Sequence, residues 1–208
     1  MTKRAAPIEF YFDLISPFGY LASTKIDALA ARYGREVDWK PVLLGITVMK
    51  VMGLPPLPET PLKKDYVAHD IPRMARLLDV PLKVHGLKGI NSLAASRAYL
   101  WLKATDPALA KRLARRVYDR LWQEGRDITK AGDIADEAAA LGVERAAVLT
   151  AMESQSMKDA LKSAVDEAIG KGVFGVPTFI VDGEPIWGVD RLWMLEHWLE
   201  CGDWAPHR

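Results

Sequence analysis

Pro7-Ile8-Glu9-Phe10-Tyr11-Phe12-Asp13-Leu14-Ile15-Ser16-Pro17-Phe18-Gly19-Tyr20 changes its period part-way along. Residues 7–14 are aromatic and β-branched enough to read as a buried strand. Ser16-Pro17 ends it, because serine is a favoured helix cap and proline a favoured first helical residue. Phe18, Leu21, Ala22, Leu29, Ala30 and Tyr33 then recur at helical spacings until Gly34 supplies a stop. Residues 36–44 read as a second strand, so the first 44 residues form a β-α-β unit.

The other end of the chain returns to strands. Thr178-Phe179-Ile180-Val181 and Glu184-Pro185-Ile186-Trp187 flank Asp182-Gly183, a hairpin signal, and a closing helix is expected from about Asp190 to Leu199. Between these ends, residues 45–65 carry Pro55, Pro56, Pro58 and Pro61 around Gly53, which argues for an ordered functional loop that is neither regular helix nor strand. Helical patterns follow at about 68–79, 91–104, 107–124, 131–141, 144–152 and 155–169. Lys111, Arg112, Arg115, Arg116 and Arg120 lie beside Leu113, Val117 and Leu121, the pattern of an amphipathic helix with a wet cationic face rather than of a binding stripe. The order β-α-β, helical block, β-β-α predicts an α/β, thioredoxin-like fold interrupted by an all-helical insertion. Residues 1–45 and 166–208 would make the thioredoxin-like part, and 46–165 the inserted loop and helices.

The bulk numbers remove several classes of function. With 208 residues, half of them hydrophobic, the chain can bury a proper core. Lys plus Arg (28) nearly balance Asp plus Glu (27), so no long-range field draws nucleic acid or an acidic membrane. Met1-Thr2-Lys3-Arg4 is basic, but Glu9, Asp13 and Pro17 break the apolar stretch a secretory signal needs, and no run approaches a membrane span. A soluble, cytoplasmic protein is expected. The single cysteine, Cys201, excludes an intrachain disulfide and reads as a packing residue, and His69, His85, His197 and His207 match no metal spacing, so no metal is expected.

Three motifs carry chemistry. Ser16 stands at a helix start, where unpaired N–H groups and the positive dipole end favour an anion such as a thiolate, to which a hydroxyl can donate. Read alone, Ser16-Pro17 is a plain cap, and only its context adds the second reading. Val173-Phe174-Gly175-Val176-Pro177-Thr178-Phe179 puts proline at the threshold of an apolar strand. Only about 5–6% of X-Pro bonds in folded proteins are cis, so local chemistry assigns Val176-Pro177 as trans, and the backbone groups before it are left open to a peptide-like ligand. Trp187-Gly188-Val189-Asp190-Arg191 joins the last strand to the last helix; Asp190 reads as a cap and Arg191 as a solvated charge, or the two together suit the ammonium and carboxylate of an amino-acid-like ligand.

Phe-Tyr-Phe-Asp-Leu-Ile-Ser-Pro-Phe-Gly-Tyr-Leu, Gly-Val-Phe-Gly-Val-Pro-Thr-Phe and Trp-Gly-Val-Asp-Arg-Leu, in that order around a helical block, resemble the 2-hydroxychromene-2-carboxylate isomerase family, kin of kappa-class glutathione transferases and DsbA oxidoreductases. The resemblance covers nearly the whole chain and implies a DsbA/kappa-type fold. Where the DsbA relatives carry Cys-Pro-x-Cys, this chain has Ser16-Pro17-Phe18-Gly19, so a sulfur for the reaction must come from elsewhere. The resemblance implies glutathione, with its thiol at Ser16, its cysteinyl portion on the Val176 backbone before a cis Pro177, and its γ-glutamyl end held by Asp190, the Trp187-Gly188-Val189 backbone and Arg191. The resemblance implies Lys50 as the partner of a small aromatic-derived substrate's carboxylate and Asn91 as a second substrate-side contact; read alone, Lys50 is equally a solvated lysine and Asn91 a helix cap. Many relatives carry Gly-Asn where this chain has Gly53-Leu54. The implied reaction is cis-trans isomerisation by reversible thiolate addition, with Ser16 as activator rather than covalent nucleophile. The rivals are a kappa-like transferase and a non-enzymatic peptide-binding protein. The resemblance also implies a homodimer.

Overall fold

In the computed structural model, residues 6–205 are described; Met1–Arg4 and His207 lie outside them. Strand β1 (Ile8–Phe12) is followed by helices α1 (Pro17–Ser23) and α2 (Ile26–Arg32) and strand β2 (Val37–Pro41). A π-helix (Gly45–Val51), a 3₁₀ turn (Leu57–Glu59) and helices α3 (Lys63–Leu77), α4 (Leu93–Lys103), α5 (Pro107–Trp122), α6 (Ala131–Ala139), α7 (Arg145–Glu153) and α8 (Gln155–Gly170) come next. The chain closes with β3 (Thr178–Val181), β4 (Glu184–Trp187), a 3₁₀ turn (Val189–Arg191) and α9 (Leu192–Cys201). This is the thioredoxin-like order expected, with helices between the two halves of the sheet.

The sheet order is β2-β1-β3-β4. Strand β1 runs parallel to β2, with Phe12 opposite Pro41, and antiparallel to β3, with Tyr11 opposite Thr178; Thr178 is in turn opposite Trp187 of β4. The register has one functional consequence. The exits of β1, β2 and β4 and the entry to β3 lie at the same end of the sheet, so the segments carrying Ser16, Leu44, Pro177 and Gly188 leave it together.

Alternation along β1 divides its aromatics between the two faces. Phe10 stacks between Phe12 and Phe179 at ring-centroid distances of 5.7 and 5.4 Å, with Trp39 edge-on at 5.0 Å. Phe12 continues into the helices, edge-on to Tyr99 of α4 at 5.2 Å and tilted against Tyr118 of α5 at 6.2 Å. Each such ring, fully buried, contributes about 1.5–3 kcal/mol. Tyr11 faces the other way and packs with Val42, Ala168, Val173 and Val176 beneath α8. Helix α8 runs through the 165/166 division drawn from the sequence, covering the sheet with its C-terminal half.

Several local expectations are corrected. The helix after Ser16 is two helices, because Ser23 Oγ and Thr24 Oγ1 donate to the carbonyls of Tyr20 and Leu21 and compete with the helical ladder. Residues 45–51, expected to be irregular, form the π-helix, and α3 begins at Lys63, earlier than the spacing indicated, and carries Pro72 inside it. The cationic face of α5 is only partly wet. Arg120 is buried against Glu137 and Asp133 at 3.1 and 2.9 Å, Arg116 pairs with Glu137 at 2.7 Å, and Lys111 pairs with Asp27 at 2.7 Å. Cys201 ends α9 and is exposed rather than packed. No helix among the described residues is long and apolar enough to cross a membrane.

Candidate active site

Ser16 caps α1. Its Oγ accepts from Gly19 N at 3.0 Å, its carbonyl accepts from Tyr20 N at 2.9 Å, and it is only 4% exposed. Pro17 has no N–H to offer, and Gly19 N is already used. Among the described residues the junction therefore keeps two uncommitted donors, the Ser16 hydroxyl proton and Phe18 N–H. Because α1 is only seven residues long, the dipole adds a modest term, and the hydroxyl is the stronger local donor.

Gly19 is required by space. A Cβ there would stand 2.8 Å from Tyr118 Oη and 3.3 Å from Asp13 O. Tyr118 Oη donates to Asp13 O at 3.1 Å, and full burial beside Asp13 pushes its phenol well above the usual tyrosine range, so it stays a donor. Tyr118 thus occupies the volume into which a larger side chain at position 19 would project.

Across the sheet end, Val176-Pro177 is cis, as the family resemblance implied and against the expectation from local chemistry. Thr178 Oγ1 donates to Gly175 O at 2.7 Å, and Gly188 N donates to Pro177 O at 2.9 Å. The N–H and C=O of Val176 itself take no partner among the described residues. Beyond them, Gly188 sits at φ 113°, where a Cβ would collide with the Asp190 carboxylate. Asp190 does not cap α9; it lies in the 3₁₀ turn with a side chain 60% exposed. Arg191 folds back on the same turn, with Nη1 donating to Trp187 O at 2.7 Å and 3.9 Å from Asp190. Val189 is buried, and Trp187, 46% exposed, packs edge-on with Phe174 at 4.9 Å. The turn packs directly on α1.

Lys50, expected on the substrate side, stands on the opposite flank. Strand order places the exit of β2, and so Lys50 in the last turn of the π-helix, across from the Asp190 turn, with Ser16 and Val176 between them. Lys50 is exposed and makes no ion pair among the described residues. Asn91 Oδ1 accepts from Leu93 N at 3.2 Å, a local role at the start of α4 that leaves its amide NH₂ open among the described residues.

Asp13, given no role in the site by the sequence reading, proves to be the most enclosed charge nearby, 1% exposed. Its Oδ2 accepts from Leu44 N at 2.8 Å, and its Oδ1 from Ile15 N at 3.2 Å and Ser92 Oγ at 2.5 Å. Burial pushes its carboxyl up, against the opposing pull of Ser92, Leu44, Ile15 and the Leu14 backbone. An acid inside the apolar run Phe12–Ile15 is a signal the sequence does contain.

A DSBA-like thioredoxin domain model matches residues 7–200. The chain belongs to that family. It is 32% identical over 203 residues to a 2-hydroxychromene-2-carboxylate isomerase of Sphingobium xenophagum, covering 96% of this chain and 99% of the relative. It is 26% identical to glutathione S-transferase kappa 1 of Rattus norvegicus, over 92% of this chain and 90% of the relative. A solved structure of a 2-hydroxychromene-2-carboxylate isomerase superposes with a TM-score of 0.83 at 28% identity, covering 93% of this chain and 94% of that one.

Proposed function

We propose that this member of the DSBA-like family is a glutathione-dependent cis-trans isomerase of 2-hydroxychromene-2-carboxylate or a similar ring-opened aromatic carboxylate. The observation that carries this is the Ser16 hydroxyl, held in place by Gly19 N yet with its own proton uncommitted, at the position where the resemblance to DsbA oxidoreductases implies a cysteine. The isomerases and kappa transferases among its relatives support the choice of ligand and reaction.

The residues present fit glutathione. Val176 offers an open backbone donor and acceptor to a peptide-like cysteinyl unit, and Asp190 offers an exposed carboxylate to the γ-glutamyl ammonium. Trp187, Gly188, Val189 and Pro177 shape the path between them, and Arg191 steadies the turn through Trp187 O. The chemistry glutathione supplies when bound is reversible thiolate addition to an electron-poor double bond, which frees rotation and leaves the cofactor unconsumed. Ser16 donates to the sulfur and lowers its effective pKa, with Phe18 N–H as a second donor. Lys50 pairs with the substrate carboxylate, and the amide of Asn91 donates to a substrate oxygen. In this reading residues 1–45 and 166–208 bind glutathione, residues 46–165 complete the substrate side, and the protein works as a cytoplasmic homodimer.

The test is to incubate the protein with 2-hydroxychromene-2-carboxylate and a small amount of glutathione, following the isomers and the free thiol. Interconversion with glutathione fully recovered is expected. Loss of glutathione in step with product would replace isomerisation by kappa-type conjugation, and peptide binding with no use of glutathione would make the site a recognition groove.

A further inference from the structure

The buried carboxylate of Asp13 has no part in the chemistry above, yet everything that reaches it donates. Its three donors come from three separate segments. Ile15 lies in the turn that ends at Ser16, Leu44 immediately precedes the π-helix that carries Lys50, and Ser92 follows Asn91 at the start of α4. The latter two partners are 31 and 79 residues away in sequence. The backbone carbonyl of the same residue accepts from Ser16 N at 2.9 Å and from Tyr118 Oη, so the Ser16 junction is fixed to the one residue that also holds both outer segments.

We propose that Asp13 is a positioning residue whose buried carboxylate holds the Lys50 π-helix and the Asn91–Ser92 start of α4 in register with Ser16, setting affinity for the carboxylate substrate rather than for glutathione. The clasp stands on its own geometry; what the two segments bind rests on the function proposed above. The glutathione-side groups, Val176 and the turn Val189–Arg191, make no bond to the Asp13 carboxylate, so the two halves of the site respond differently to its loss.

An ionised carboxylate only accepts, which suits three donors; an asparagine of the same shape has a single acceptor oxygen. Turned one way, its NH₂ faces Leu44 N–H; turned the other, it faces Ile15 N–H, while Ser92 can rotate its hydroxyl and accept. Asp13→Asn therefore leaves one buried backbone N–H unpaired in either orientation, without opening a cavity.

The full chain is compared as wild type, Asp13→Asn and Ser92→Ala, each confirmed as folded by circular dichroism, using calorimetry with glutathione, steady-state kinetics on 2-hydroxychromene-2-carboxylate, and amide exchange read by mass spectrometry. In Asp13→Asn the KM for the carboxylate is expected to rise about tenfold while the glutathione Kd stays within about twofold. Exchange is expected to quicken in residues 44–51 and 92–95 and not in 186–191. Ser92→Ala, which keeps both backbone bonds, gives a smaller change in the same direction and decides the matter if Asp13→Asn fails to fold. A glutathione affinity that falls in parallel with KM, or unchanged exchange in 44–51 and 92–95, would overturn the proposal. Should the wild type neither bind glutathione nor turn over this substrate, the proposed function fails, and the exchange pattern alone decides the clasp.

Discussion

Replacing Gly19 by alanine asks whether the space at the Ser16 junction is as full as the geometry indicates. By helix propensity alone the change would stabilise α1 by up to about 1 kcal/mol. The new methyl group, however, would lie 2.8 Å from Tyr118 Oη, 3.2 Å from Ser16 Cβ and 3.3 Å from Asp13 O. Tyr118 is fully buried against Phe12 and Tyr20 and has no open side to move toward. Overpacking of this kind costs about 1–3 kcal/mol, and displacing the tyrosine also weakens its bond to Asp13 O, worth about 1 kcal/mol. The balance is a net loss of about 2 kcal/mol, a fall in Tm of about 4–8 °C for a chain of this size. Tyr118→Phe alone removes the hydroxyl bond and costs about 1 kcal/mol. In the double variant the nearest colliding atom is gone, and the remaining contacts at 3.2 and 3.3 Å are offset by the gain in helix propensity, so Gly19→Ala should add almost nothing to Tyr118→Phe, a coupling of about 2 kcal/mol in a four-protein cycle of denaturant melts. Additive costs, or a Gly19→Ala protein more stable than wild type, would refute the reasoning. Any larger side chain at position 19, a second cysteine included, meets the same obstacle.

Gly188→Ala forces a side chain at φ 113° into the Asp190 carboxylate, so it should lower stability by more than about 1 kcal/mol and weaken glutathione binding in calorimetry, whereas Gly45→Ala, where a Cβ meets open space, should do neither. Arg35 reaches Asp182 with both terminal nitrogens, at 3.0 and 2.8 Å, and holds its carboxyl below the usual carboxylate range. A depressed carboxyl contributes stability above its unfolded value, about pH 4, and that contribution is lost as pH falls through the folded value. Asp182→Asn, which tolerates the turn's φ of 53°, should therefore cost at most about 1 kcal/mol at neutral pH, because the Asp182 side chain is about half exposed. The gap from wild type should close in melts below pH 4; a gap that widens in acid would contradict the assignment.

The strands, the hairpin and most of the helical block were legible because each is set by neighbours in sequence. Asp182-Gly183 turns where its residues allow positive φ, at 53° and 91°, and the apolar spacing of Leu113, Val117 and Leu121 faces the core as its period requires. The break between α1 and α2 was invisible to periodicity, since the apolar spacing runs unbroken through it while two hydroxyls bond backward locally. The π-helix hid behind Ile46, Thr47, Val48 and Val51, β-branched residues in a segment followed by four prolines. Of the candidate site, the parts marked by a motif were legible, at Ser16, Val176-Pro177 and Trp187–Arg191, and their segments do leave the sheet at one end. The cis bond came from family resemblance and not from local chemistry. Asp13 shows what a linear reading does not give: its burial can be guessed from its apolar neighbours, but Leu44 and Ser92 reach it only after the sheet and α4 have packed. Arg120, drawn from the sequence as a solvated charge, is buried for the same reason, since Asp133 and Glu137 arrive from another helix.

Whether Ser16 activates a glutathione thiol is decided most directly by equilibrium binding of glutathione to wild type and Ser16→Ala, with the ultraviolet absorbance of each complex read for thiolate. The variant should remain folded, losing about 1 kcal/mol with its cap. Wild type should bind glutathione with a thiolate band, and Ser16→Ala should lose the band while the Val176 and Asp190 contacts retain part of the affinity. A wild type that binds no glutathione, or a variant whose thiolate band is undiminished, would contradict the account.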